Sequence, residues 1–163
     1  MDIVEVGCNT GGGGRVLLGL RPGLRLRALD LVPDRLAKLP RDVYVETDCG
    51  PGQEMPVGDE SQDGIVAGEF IEHLTPKDAA AFLYESFRVL RIGGALLLTT
   101  PNPLDVKRKL RGGTILGGAH LSQHHPAILM AQAKAAGFGT VRVRGSGKTS
   151  RYLGEHFPWL SLY

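Results

Sequence analysis

Four consecutive glycines, Gly11 to Gly14, stand just after the apolar segment Ile3-Val4-Glu5-Val6 and Gly7, where a first crossover helix should begin. Each interior glycine costs a helix about 1 kcal/mol relative to alanine. A sequence that needed only a helix would not carry four. Glycines at that place let the backbone come close to a ligand and leave helix N-terminal N–H groups free to meet it. A flexible turn with no ligand is the plainer alternative. A dinucleotide fits poorly, because Asn9 occupies the second glycine of the G-x-G-x-x-G pattern, where the backbone approaches a pyrophosphate. A nicotinamide-dependent oxidoreductase is disfavoured on the same ground.

Around that turn, apolar segments and helical patterns alternate, which predicts a parallel sheet covered by helices. Strands are expected at Ile3–Val6, Leu24–Leu31, Val43–Val45, Gly64–Ala67 and Ala95–Thr100. They are continuous apolar runs, as in strands buried on both faces. Thr75 is a good N-cap, with Pro76 at the first helical position and Asp78 three residues after the cap. Leu83, Phe87 and Leu90 mark the predicted buried face of that helix, and Gly93-Gly94 its end. A later helix is predicted from near Ser122, with Pro126 in its first turn, through Leu129, Ala133 and Ala136 to Gly137. Thr140 to Arg144 alternates polar and apolar and reads as a half-exposed strand near a sheet edge. Thr47–Gln62 and Pro101–Gly118 read as loops.

A length of 163 residues suits one domain spanning 1–163. No apolar run approaches the roughly 18 residues of a membrane span. The first residues lack the pattern of a secretory signal. Cys8 and Cys49 make no disulfide framework, so a cytoplasmic location is the expectation. From Asp42 to Glu72 there are nine acidic residues and no Lys or Arg, whereas Pro101 to Arg151 holds nine basic residues against Asp105 alone. Differently solvated faces explain this most simply. A cationic cofactor on one side and an anionic acceptor on the other is the sharper alternative.

Val4-Glu5-Val6-Gly7-Cys8-Asn9-Thr10-Gly11 resembles the first motif of class I S-adenosylmethionine-dependent methyltransferases, particularly the ubiquinone-methyltransferase-like (type 11) group. Further matches follow in the family's order. Leu29-Asp30-Leu31 resembles the acidic end of its second strand. Asp48-Cys49, then Met55 to Asp63, resembles its acidic loop and the lead into strand four. Glu69-Phe70-Ile71-Glu72-His73-Leu74 resembles the motif after strand four, and Arg88 to Leu98 the last helix-to-strand motif. The likeness covers about residues 2 to 145. It implies a Rossmann-like, doubly wound, mostly parallel sheet in a three-layer α/β/α arrangement. The family's N-terminal helix and seventh strand have no clear counterpart in this sequence.

The resemblance also implies S-adenosyl-L-methionine as cofactor, bound by Glu5, Gly7, Cys8, Asn9, Gly11, Asp30, Leu31, Asp48, Cys49, Gly68 and Glu69. Gly7, Cys8 and Gly11 would frame its amino-acid end, Asp30 the ribose hydroxyls, and Asp48 with the Cys49 backbone the adenine. Glu69 could contact cofactor or acceptor. His73 and His120 are expected near the acceptor mouth as catalytic candidates, with a capping or carbonyl-binding role as the alternative for each. His124 and His125 are expected to be surface or capping residues. A metal is not the first reading: adjacent His124 and His125 diverge on a helix, and no Cys, Asp or Glu completes a set with His120 and Gln123.

The expected activity is in-line methyl transfer to a small-molecule or glycan-like acceptor. A degenerate module that binds cofactor or partner without transferase activity is the alternative. Lys107-Arg108-Lys109 with Arg111 has no interleaved aromatics, which speaks against a nucleic-acid partner. The apolar tail His156 to Tyr163 could cover a sheet edge or join a second copy in a homodimer.

Overall fold

A computed structural model describes residues 1–105, 110 and 112–145. Five strands, β1 Asp2–Val6, β2 Arg25–Asp30, β3 Glu46–Cys49, β4 Gln62–Gly68 and β5 Leu90–Thr99, form a parallel sheet in the order β3-β2-β1-β4-β5. The helices with described bounds are α1 Gly12–Leu20, the single turn α2 Pro33–Leu36, α3 Pro76–Val89 and α4 Pro126–Ala135, with a 3₁₀ turn at Ile71–His73. The doubly wound architecture is the expected one. Strand order reverses between β1 and β4, which opens a crevice at their carboxyl ends.

Strand residues alternate between two cores, as a pleat requires. Val4, Val6, Leu29, Ile65 and Ala67 pack with Ala79, Phe82, Leu83 and Val89 of α3. Ile3, Leu26 and Ala28 pack on the other face with Leu17 and Leu18 of α1 and with Leu39, Val43 and Tyr44. Helix α3 begins as its sequence predicts: Thr75 Oγ1 accepts from the Asp78 N–H at 3.2 Å, and Pro76 is the first helical residue.

Several local expectations are corrected. The third strand is the polar Glu46–Cys49, not Val43–Val45. Val43 and Tyr44 do enter the core, but from the turn before the strand, while Val45 is 59% exposed. Polar β3 sits at a sheet edge and is held by Arg27, which pairs with Glu46 and, at 2.7 Å, with Asp48. Phe87 is exposed, because the buried stripe of α3 runs through Ala79, Phe82, Leu83, Ser86 and Val89. Its ring instead meets Phe138 edge-on at 5.6 Å and lies where a Cβ on Gly137 would be, 2.7 Å from ring carbons. Strand β5 starts at Leu90, directly after α3, and Gly93 (φ 82°) lies within its irregular stretch instead of ending the helix. Helix α4 starts at Pro126, not Ser122.

Thr140–Arg144 forms no strand. It walls an apolar groove of about 260 Å³ together with Leu96 to Thr99 of β5, the following Thr100, and Leu129 of α4. An alternating pattern marks a half-buried segment, and an irregular wall satisfies it as well as a strand does. The acidic stretch resolves partly into ion pairs with distant arginines, Asp59 with Arg88 and Asp63 with Arg91 at 2.8 Å. No helix among the described residues is long and apolar enough to cross a membrane. The Lys107–Lys109 cluster, Arg111 and the apolar tail lie outside the described residues.

Candidate active site

The glycine turn is tighter than a ligand alone would require. Gly7 (φ 68°) donates its N–H to Leu29 O at 2.8 Å, and a Cβ there would lie 2.7 Å from the Phe70 ring. Gly11 (φ 76°) is the N-cap of α1. A Cβ on Gly13 would collide with the Glu5 carboxylate, and one on Gly14 would lie 2.5 Å from Tyr44 Oη. Only Gly12 of the run faces open space. Half of the run is therefore dictated by a buried acid–phenol pair, a cause the sequence did not disclose.

That pair is Glu5 and Tyr44. The Tyr44 hydroxyl donates to Glu5 Oε2 at 2.6 Å, and both residues are buried. Burial raises the Glu5 pKa; the bonds from Tyr44 and the Gly14 backbone oppose that rise. Burial, then the bond to Glu5, pushes the Tyr44 phenol up as well. The neighbouring Cys8 thiol is pushed up to about 12, by burial first and then by the charges of Asp30 and Glu5. Burial and the neighbouring carboxylates thus disfavour the Cys8 thiolate, the nucleophilic form.

Asp30 ends β2 and is 4% exposed. Oδ2 accepts from the Asn9 N–H at 3.0 Å and Oδ1 from the Val32 N–H at 2.9 Å, with Arg35 at 3.6 Å. Asn9 adopts φ 49°, a left-handed conformation costly outside glycine, and the Asp30 bond holds it there. Leu31 and Val32 beside it are exposed apolar residues. Cys49 is the register partner of Asp30. Asp48 lies one position earlier, and its carboxylate is engaged by Arg27, so an adenine contact through that side chain has a competitor.

The other rim follows β4. Gly68 ends that strand, and Glu69 (φ 48°) turns the chain. The Glu69 carboxylate accepts from Thr99 Oγ1 at 2.9 Å, while its N–H donates to Thr99 O, which ties it to β5. Phe70 packs edge-on against Phe82 at 5.1 Å. His73 and His120 are brought together, ring centroids 4.9 Å apart. His73 Nδ1 lies 3.0 Å from Ala119 O, and His120 Nδ1 lies 3.0 Å from Ile115 O. A carbonyl can only accept, so each Nδ1 carries a proton, and in the neutral imidazole the lone pair is on Nε2. The contact is possible because the Glu72 carbonyl accepts from Leu121 N–H and Ser122 N–H at 2.9 and 3.1 Å. His124, expected at the surface, is buried, its Nε2 2.9 Å from Ser122 Oγ and 3.2 Å from Ile71 O. His125 is the N-cap of α4 but makes no side-chain cap bond.

A switch-point crevice, a glycine turn opening a helix and a strand-end carboxylate with free apolar neighbours define a nucleoside-binding α/β protein. Residues 4–98 match the family described as a methyltransferase domain, and the chain belongs to that family of S-adenosylmethionine-dependent methyltransferases. It is 34% identical over 139 residues to a probable S-adenosylmethionine-dependent methyltransferase of Mycolicibacterium smegmatis, covering 84% of this chain and 51% of that protein. It is 32% identical over 161 residues to a malonyl-[acyl-carrier protein] O-methyltransferase of Hahella chejuensis, covering 95% and 55%. The chain thus spans about half the length of these curated relatives. A solved SAM-dependent methyltransferase from Archaeoglobus fulgidus superposes with a TM-score of 0.71 at 17% identity, over 98% of this chain and 78% of that one.

Proposed function

We propose that this chain transfers the methyl group of S-adenosylmethionine to an oxygen of a small-molecule or glycan-like acceptor held at His73 and His120. The residues present suit the cofactor. The turn from Gly7 to Gly11 stands at the carboxyl end of β1, and the buried Asp30 lies beside the exposed Leu31 and Val32. When bound, the cofactor supplies an electrophilic methyl on a sulfonium. The protein's task is then to align the acceptor, with reacting atoms about 3–3.5 Å apart.

Gly7, Cys8, Asn9 and Gly11 would hold the amino-acid end through backbone groups. Asp30 would take the ribose, a charge-assisted contact. Cys49 and Gly50, whose N–H donates to Asp30 O at 3.1 Å, would border the base. On the acceptor side, the paired imidazoles carry the proposal. Their carbonyl-bound Nδ1 atoms leave an Nε2 lone pair on each neutral ring, with ring centroids 4.9 Å apart, suited to orient a hydroxyl and take its proton.

Calorimetric titration with S-adenosylhomocysteine tests the donor half. Binding is expected, weakened tenfold or more by Asp30→Ala, the scale of a lost charged hydrogen bond at about 1.5–3 kcal/mol. Unchanged affinity in a folded Asp30→Ala chain would remove the ribose from Asp30. Methyl transfer to a panel of hydroxyl acceptors, followed by mass spectrometry, tests the acceptor half. Cofactor binding with no transfer to any of them would favour a non-catalytic binding module.

A further inference from the structure

Glu72 is fully buried, yet neither of its carboxylate oxygens has a hydrogen-bond partner among the described residues. Burying a carboxylate without a partner is among the costliest arrangements a fold can hold. Its near neighbours are unusual. One carboxylate oxygen and one nitrogen from each of His73 and His120 all lie within 4.8 Å of one another. Both imidazoles are already oriented by carbonyls on Nδ1, the second contact that metal-bound histidines characteristically make. Each ring therefore offers a bare Nε2.

We infer that Glu72, His73 and His120 form a binding site for a divalent first-row cation of the zinc class. Two imidazole nitrogens and one carboxylate oxygen are a catalytic zinc ligand set, three protein ligands with a coordination position left open. Bonds of about 2.0–2.2 Å to a common ion require ligand atoms to draw together from the present spacing by roughly an ångström. Exposed His73 and half-exposed His120 can make that adjustment by side-chain rotation, whereas buried Glu72 supplies the fixed corner. The unpaired carboxylate is then a ligand awaiting its ion. The site draws on two distant parts of the chain: Glu72 and His73 from the turn after β4, and His120 from the segment before α4. No Asp or Glu stands near His120 to His125 in the sequence, and only the fold brings Glu72 to His120.

The open position would take an oxygen of the acceptor; the two Nε2 atoms, once ligands, would no longer take its proton, and the ion would instead ease that proton's loss to solvent. This role rests on the transferase reading above; cation binding does not.

Titration of the full chain with Zn²⁺ in a non-coordinating buffer, repeated with Co²⁺ and read by its visible absorption, tests the site. About one cation per chain is expected, with affinity reduced at least tenfold in both Glu72→Gln and His120→Ala. S-adenosylhomocysteine binding, retained in both variants, reports that they are folded. If Glu72→Gln does not fold, His120→Ala carries the test. A native chain that binds no stoichiometric cation overturns the proposal, and so does full affinity in the variants, which would assign the ion elsewhere, for instance to exposed Cys49. A chain that binds the cation but not S-adenosylhomocysteine would keep the site and sink the transferase reading instead.

Discussion

The two rims of the crevice treat their buried acids differently. On the β1–β2 rim Glu5 holds Tyr44 and Asp30 holds two backbone N–H groups. On the β4 rim Glu72 is as deeply buried and holds nothing among the described residues. The first rim is complete before any ligand arrives, and its polar groups serve to fix the glycine turn. The second keeps unused bonding capacity: two imidazole lone pairs and a bare carboxylate. A rim built that way is shaped for what it will bind, and a preorganised first rim beside it suits a protein with one constant ligand and one variable one.

The difference predicts that small changes on the first rim damage the fold itself. Gly14→Ala would drive a Cβ to within 2.5 Å of Tyr44 Oη and 2.8 Å of Val43, inside the core beneath the turn. We expect a loss of about 1–3 kcal/mol in urea unfolding, the usual range for overpacking. Weakened S-adenosylhomocysteine binding should accompany it. Gly12→Ala, two residues away in open space, should instead stabilise the chain by up to about 1 kcal/mol. Equal effects at the two positions would mean that the run serves a ligand uniformly, and the contrast between rims would fail there.

On the second rim the expectation is reversed. His120→Ala removes a half-exposed ring whose neighbours Leu121 and Ser122 are held by their own backbone bonds to Glu72 O. Stability should change by no more than about 0.5 kcal/mol. Methyl transfer should fall at least tenfold once an acceptor is found, with cofactor affinity unchanged. A loss of stability as large as that of Gly14→Ala would show that the imidazole pair is structural cement.

These rims were not equally legible in the sequence. The turn, Asp30, the cap of α3 and the alternation of strand and helix are local signals, carried by residues within a few positions of each other. Their places in the fold are legible because capping and periodicity are local physics. Strand β3 escaped notice because its residues are polar and Arg27, 19 to 21 residues away, supplies their pairing. The reason for Gly14 lies in Tyr44, that for Gly13 in the Glu5 carboxylate that Tyr44 holds in place, and the surroundings of His120 lie in Glu72. The Tyr44 and Glu72 contacts are between distant segments, which no spacing rule anticipates. Phe87 was misread for a related reason: helical periodicity locates a stripe, but only the neighbour at Gly137 and Phe138 decides which aromatic lies outside it.

The smallest effect concerns the acid that the first rim does bury. Burial holds the Glu5 pKa above its ordinary 4.5, against the opposing pull of Tyr44 and the Gly14 backbone. A raised folded-state value means the folded chain takes up that proton more readily than the unfolded chain. The stabilisation it gives is fully present below about pH 4.5 and is lost as pH rises through the folded value. Glu5→Gln keeps an acceptor for the Tyr44 hydroxyl and removes the ionisation. The stability of the variant relative to the native chain should therefore increase from about pH 4 upward and level off at higher pH. Urea unfolding of both proteins across roughly pH 4 to 8 measures that difference, and other acids cancel between the two. A difference that stays flat would mean the Tyr44 bond fully offsets burial, leaving the first rim even better matched than the contrast with Glu72 already requires.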